Sequence, residues 1–167
     1  MREYDKSGRG ATLGRTEIQG DRQVKRYSSK SIRSSLKGKL DNIFSKWRRL
    51  KEVDKDGFCV CITCGKRLYW KEIQTGHYIT RNYMATRWLE ENTAPQCVGC
   101  NIFGKGRPDV FAIRIQEKYG KDELEKLNLV KNQIYKYHNY DLEMMIKFYK
   151  REFEEQCAKF MENHALS

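Results

Sequence analysis

Two Cys-x-x-Cys pairs, Cys61/Cys64 and Cys97/Cys100, are the residues whose type and spacing most clearly carry chemistry. Each pair offers two thiolates from one tight turn, and two such pairs complete the tetrahedral shell that zinc prefers. Gly65, directly after Cys64, lets the backbone turn tightly there. Four sulfurs fill the shell, so a zinc held this way is structural rather than catalytic. Cys59 is spaced less well for a knuckle, and it reads with Cys157 as a packed thiol. A histidine and two asparagines are interleaved with these ligands. His77 stands in Thr75-Gly76-His77-Tyr78, Asn92 opens the run that ends at Cys97, and Asn101 directly follows Cys100. Alone, such residues are more often caps, turns or core groups; their offsets from the metal ligands single them out.

Residues so far apart in the chain need elements to bring them together. From Ser31, Ile32, Leu36, Leu40, Ile43, Phe44, Trp47 and Leu50 recur at spacings of three and four. That is one apolar stripe of a helix over 31–52, with Ser31 as its N-cap and a basic opposite face. Asp54-Lys55-Asp56-Gly57 reads as a turn. Arg67 to Trp70 and Ile73 to Ile79 read as two short antiparallel strands joined at Lys71-Glu72, and 80–92 as a loop or short helix. A helix is expected after Cys97, and Pro108 and Asp109 open another that Gly120 stops. Asp122 caps a short helix through Leu127. Asp141 caps the last and longest, whose stripe is Leu142, Met145, Ile146, Tyr149, Phe153, Cys157, Phe160 and Met161. That stripe is either core or a homodimer seam.

The charge is lopsided. Of a formal net +11, almost all lies in the first 51 residues, where fifteen Lys and Arg face five Asp and Glu. Such a field favours a polyanion partner, DNA above all, through counterion release. Residues 1–30, rich in Gly, Ser, Arg and Lys, read as a basic flexible arm. No stretch approaches the roughly 20 apolar residues of a membrane span. The N-terminus lacks the apolar run of a secretory signal, and paired Cys-x-x-Cys motifs in such a chain read as metal in a reducing cytoplasm rather than disulfides. Tyr69, Trp70, Tyr78, Tyr83 and Trp88 crowd among basic residues. Packing around a small metal core accounts for most of them, with Trp88 the candidate for a base-stacking or junction-wedging contact.

Cys61-Ile62-Thr63-Cys64-Gly65, Thr75-Gly76-His77-Tyr78, Asn92 and Gln96-Cys97-Val98-Gly99-Cys100-Asn101 together resemble the zinc-stapled His-Asn-His endonucleases, the ββα-metal class, over roughly 58–107. With Lys105-Gly106-Arg107 and the helices that follow, residues 31–160 are similar to the phage NinG (Rap) recombination endonuclease family. The resemblance implies an α+β, mainly helical fold, with a small zinc-bound ββα-metal core at 53–120 flanked by N- and C-terminal helices, the latter within 121–167. It implies a metal-dependent endonuclease acting on branched DNA such as Holliday junctions or D-loops in the host cytoplasm. His77 would be the general base, or alternatively a metal ligand. Asn101 would offer its oxygen to Mg²⁺ or Mn²⁺, and Asn92 would brace the loop holding His77. Lys105, Arg107 and Arg114, with Arg48 and Arg49 of the first helix, are the expected phosphate contacts. The departure is Gly76, where many relatives place an Asp or His ligand; Glu72, Glu90, Glu91 and Asp109 are candidate substitutes. The rival reading is a non-catalytic zinc module that binds DNA or a recombination partner, and a sequence-specific homing or restriction nuclease is a third.

Overall fold

The computed structural model describes residues 28–165, and the basic arm expected over 1–30 lies almost wholly outside them. The first helix, α1, spans Ser29–Leu50 and starts slightly earlier than its apolar stripe indicates. Its N-cap is Ser28 rather than Ser31: the Ser28 hydroxyl accepts the Ser31 N–H at 3.2 Å. One face buries Leu36, Leu40, Phe44, Trp47 and Leu50. The last helix, α4, spans Asn139–Ala165. Asp141 caps it from inside the first turn, its carboxylate accepting the His138 N–H at 2.7 Å. Leu142 is fully buried on α1, with Met145, Ile146, Tyr149 and Phe153 packed around the same core. The α4 stripe is therefore spent largely within the chain, while Met161 stays exposed.

Four short strands lie between these helices: β1 Phe58–Val60, β2 Arg67–Tyr69, β3 Gln74–His77 and β4 Thr93–Gln96. The pairing differs from the expected one. β1 pairs antiparallel with β2, placing Cys59 opposite Leu68, and β3 pairs with β4, placing His77 opposite Thr93. The segments 67–69 and 74–77 are thus neighbours in sequence but partners of different strands. The Cys61–Cys64 knuckle follows β1, and Cys97 follows β4. Residues 80–92 are irregular turns, and the expected helix after Cys97 is a single π turn, Gly99–Phe103.

Pro108 does open α2, Pro108–Tyr119, and Gly120 ends it with φ at +107°, where a side chain is strained. The third helix, α3, is Glu123–Lys131, longer than expected, and Asp122 occupies its cap position without a side-chain bond. Three apolar clusters result. One joins α1, α4 and Trp88, one surrounds the cysteines with Ile73, and one holds α2 and α3 against Ile79 and Ala94. Among the described residues, no helix is long and apolar enough to cross a membrane.

Candidate functional site

The Sγ atoms of Cys61, Cys64, Cys97 and Cys100 all lie within 4.8 Å of one another, with Cys64 and Cys97 at 3.7 Å. Zn–S bonds of about 2.3 Å in a tetrahedron set sulfurs roughly 3.8 Å apart, so the donor set and its spacing fit a metal ion such as zinc. The backbone is arranged for thiolates. The Cys97 N–H points to the Cys61 sulfur at 3.3 Å and the Cys100 N–H to the Cys97 sulfur at 3.4 Å. Burial works against a charged Cys61, but the N–H groups of Cys97, Cys64 and Thr63 and the Thr63 hydroxyl outweigh it and pull its pKa down to about 6. Cys64, against the pull of the Lys66 N–H, and Cys97 are instead pushed up by burial and by the crowding of neighbouring thiols, a repulsion that a cation among them would relieve. Cys59 goes the other way: burial pushes it up to about 11, as befits a packed thiol hydrogen-bonded to the Arg49 carbonyl.

Beside this cluster, α1, β3 and the π turn enclose a pocket of about 330 Å³ lined by Asp41, Ser45, Arg49, Gln74, His77, Arg81, Asn101 and Ile102, among others. His77 and Asn101 thus share one cavity. The cysteine cluster explains why, because it joins the start of the π turn, which carries Asn101, to the knuckle. The Nε2 of His77 lies 3.0 Å from the Arg87 carbonyl. A carbonyl only accepts, so that nitrogen carries the proton and Nδ1 is left as the basic lone pair. Burial lowers the His77 pKa to about 4, so the ring is neutral at physiological pH. Asn101 donates its amide nitrogen to Gln74 Oε1 at 2.7 Å, which fixes its orientation and frees its own oxygen for a ligand.

Two residues on one wall of the pocket, Asp41 and Ser45, were not foreseen, whereas Arg49 beside them was. Asp41, Ser45 and Arg49 step along α1 at intervals of four and line it. Asp41 is the lone acidic residue of an otherwise strongly basic helix, a signal that could have singled it out. Both its carboxylate oxygens are engaged: Arg87 donates to one at 2.9 Å and to the other at 2.5 Å, and the Trp88 indole N–H donates to the first at 2.9 Å. Glu72, Glu90, Glu91 and Asp109 are not among the lining residues; Glu90 pairs with Lys51 and Asp109 with Arg107.

Asn92 lies outside the pocket and is fully buried. Its amide nitrogen donates to the carbonyls of Ile79 and Thr86, each at 2.9 Å, and its oxygen accepts the Ile79 N–H at 2.7 Å. It therefore ties the end of the segment after His77 to the loop before β4. Arg48 corrects an expectation. It has no exposed surface, and its guanidinium bonds Glu52, the Thr93 carbonyl and the Tyr119 hydroxyl at 2.7, 2.8 and 3.2 Å, leaving it no reach to phosphate. Arg49 does line the pocket, with Nε and Nη1 bonded to the Ser45 and Ile73 carbonyls. Lys105 and Arg107 are exposed in the loop after the π turn, both with positive φ. Arg114 pairs with Glu117 and lines a separate pocket with Glu52 and Lys118. Trp88 is 4 % exposed and packed in the α1–α4 core, so it is no wedge.

Gly76 has a packing reason. A Cβ there would meet Gln96 Oε1 at 2.3 Å and Gln96 Cβ at 2.9 Å. Gln96 is fully buried and bonds the Gly106 carbonyl at 2.7 Å and Thr63 at 3.3 Å, bridging the knuckle and the loop before α2. Gly76→Asp is expected to cost about 1–3 kcal/mol from overpacking, read as a lower midpoint in chemical denaturation. An unchanged midpoint would mean that Gln96 yields freely.

The fold and site define a small α+β protein, mainly helical, with a four-cysteine cluster that could hold a metal ion beside a polar pocket. More particularly, the chain belongs to the NinG family: the family model described as bacteriophage lambda NinG protein matches residues 5–158. That membership implies a role connected with phage recombination. Neither the curated proteins nor the solved structures gave a match.

Proposed function

We propose that this protein is a metal-dependent DNA endonuclease of the His-Asn-His type, acting on branched recombination intermediates. The observation that carries the reading is the convergence of His77 and Asn101 on one pocket beside the cysteine cluster. Cys61, Cys64, Cys97 and Cys100 would hold zinc, and through it would tie the π turn to the knuckle and β4 and so preorganise the site. His77 accepts a proton from water at Nδ1, while its Nε2–H stays on the Arg87 carbonyl. The hydroxide so formed attacks the scissile phosphorus, and the 3′ oxygen leaves. Asn101, through its amide oxygen, would help hold a Mg²⁺ or Mn²⁺ ion, which would supply charge stabilisation at the phosphate and the departing oxygen. Arg81, exposed at the rim, positions a neighbouring phosphate, with Lys105 and Arg107 further along.

The preference for branched DNA follows from the family rather than from the pocket. The rival reading, a zinc module that binds DNA without cutting it, drew on Gly76; the close packing of Gln96 accounts for that glycine without it. The test is incubation of the zinc-loaded protein with a labelled four-way junction and with a linear duplex, in Mg²⁺, in Mn²⁺ and in a chelator of hard cations that spares the zinc. The expected result is metal-dependent strand scission with the junction preferred. Tight binding without scission in either metal would favour the rival.

A further inference from the structure

The π turn that carries Asn101 also carries the most exposed aromatic ring among the described residues. Phe103 is 81 % exposed, and Ile102 beside it, which lines the pocket, is 56 % exposed. Both sit on a short rigid stub. Cys100 anchors its start; the Asn101 N–H bonds the Cys97 carbonyl at 2.8 Å, and the Gly104 N–H closes the turn on Gly99 at 2.7 Å. Gly104 permits that closure, since a Cβ there would meet the Cys100 carbonyl oxygen at 2.9 Å. Lys105 and Arg107 follow at once, exposed and with φ of +51° and +48°, and Arg81 lies across the pocket.

We infer that Phe103, supported by Ile102, is a base-stacking wedge that receives an unpaired nucleobase next to the phosphate in the His77–Asn101 pocket. The inference rests on the nuclease reading of that pocket. The occupant is chosen by charge: the chain is +11 overall, the exposed Lys105 and Arg107 follow the ring in sequence, and Arg81 lines the pocket that Ile102 also lines, cations suited to a nucleic-acid backbone. Every base has a π face, so stacking is tolerant of sequence but requires a base already out of its duplex stack. A branch point offers such a base at little cost, whereas an intact duplex must first be unstacked. The ring therefore gives this site a preference for structure over sequence, a task for which Trp88 is too deeply buried.

The test measures affinity of zinc-loaded wild type, Phe103→Ala and Phe103→Trp for a four-way junction and for a linear duplex of the same length, in Ca²⁺. Sedimentation of the free proteins is run alongside. One stacked base corresponds to a loss of about tenfold, so Phe103→Ala is expected to bind the junction about tenfold more weakly, with duplex affinity unchanged and Phe103→Trp restored. Equal junction affinity in wild type and Phe103→Ala would overturn the wedge. So would equal losses on both DNAs, or lost self-association with intact DNA binding, which would assign the ring to a contact between copies. Loss of junction affinity in Phe103→Ala alongside a wild type that cuts nothing in Mg²⁺ or Mn²⁺ would sink the nuclease reading and keep the wedge. Cleavage by wild type with no effect at position 103 would do the reverse.

Discussion

Stripping the metal from the four-cysteine cluster with a strong chelator is expected to abolish the cooperative thermal transition of this protein. The cluster is also a packing centre: Cys59, Cys61, Ile73, Cys97 and Cys100 are buried together, with Val53, Leu68 and Trp70 against them. The strands around it are only three or four residues long and supply few ladder bonds of their own. Structural zinc contributes about 10–16 kcal/mol in small zinc modules. That matches or exceeds the total stability of a typical domain, about 5–15 kcal/mol. The helical signal of α1 and α4, and that of Trp88 packed between them, should fall less than the tertiary signal of Trp70, because the α1–α4 core is a cluster separate from the cysteines. Cys61→Ser should reproduce the effect, since Cys61 also receives the Cys97 N–H. A chelated protein that melts as before would show the four sulfurs to be mere core thiols.

His77→Ala is expected to lower the single-turnover rate of junction cleavage about 10²–10⁴-fold, the range for a lost general base, with DNA affinity kept. The ring sits on β3 opposite Thr93 and reaches its partner in the Arg87 carbonyl, so its loss removes one hydrogen bond and a half-buried ring, and the melting transition of the variant is checked alongside. The pH dependence follows from burial. The folded ring takes a proton only near pH 4, against 6.5 ordinarily, so its acid limb in the cleavage rate lies near pH 4. Folding stability from the same group is undiminished above pH 6.5. It falls as pH drops from 6.5 towards 4, because there the unfolded chain binds the proton and the folded chain does not. A cleavage profile whose acid limb sits at 6.5 would place the base in open solvent or on another residue.

The clustering of the four cysteines and the meeting of His77 and Asn101 in one pocket were legible because paired Cys-x-x-Cys turns fix their own geometry and carry the residues at short offsets from them. The long helices were legible from period alone. The strand pairing was not: segments of three or four residues carry too little alternation to announce a partner, and Pro95 argues against reading 93–96 as a strand at all. In the fold Pro95 stands opposite Thr75 and accepts the Ile62 N–H through its carbonyl, so the strand pairs without the missing donor. Arg48 was misjudged because charge suggested surface. Yet Leu36, Leu40 and Phe44 step by four onto position 48, which puts it on the buried face, and there its guanidinium holds α1 to β4 and α2. Asp41 escaped notice because α1 reaches the pocket only through long-range contacts, and its one local mark is that it is the lone acid of a basic helix.

The dependence of junction cleavage on Mn²⁺ concentration, compared between wild type, Asn101→Ala and His77→Ala, tests most directly whether base and cation act in one pocket. The account predicts a saturable curve for wild type, the same plateau approached only at about 10–100-fold more Mn²⁺ for Asn101→Ala, and a plateau that stays low at every concentration for His77→Ala. Three superimposable curves, or no cleavage by any of the three, would contradict it.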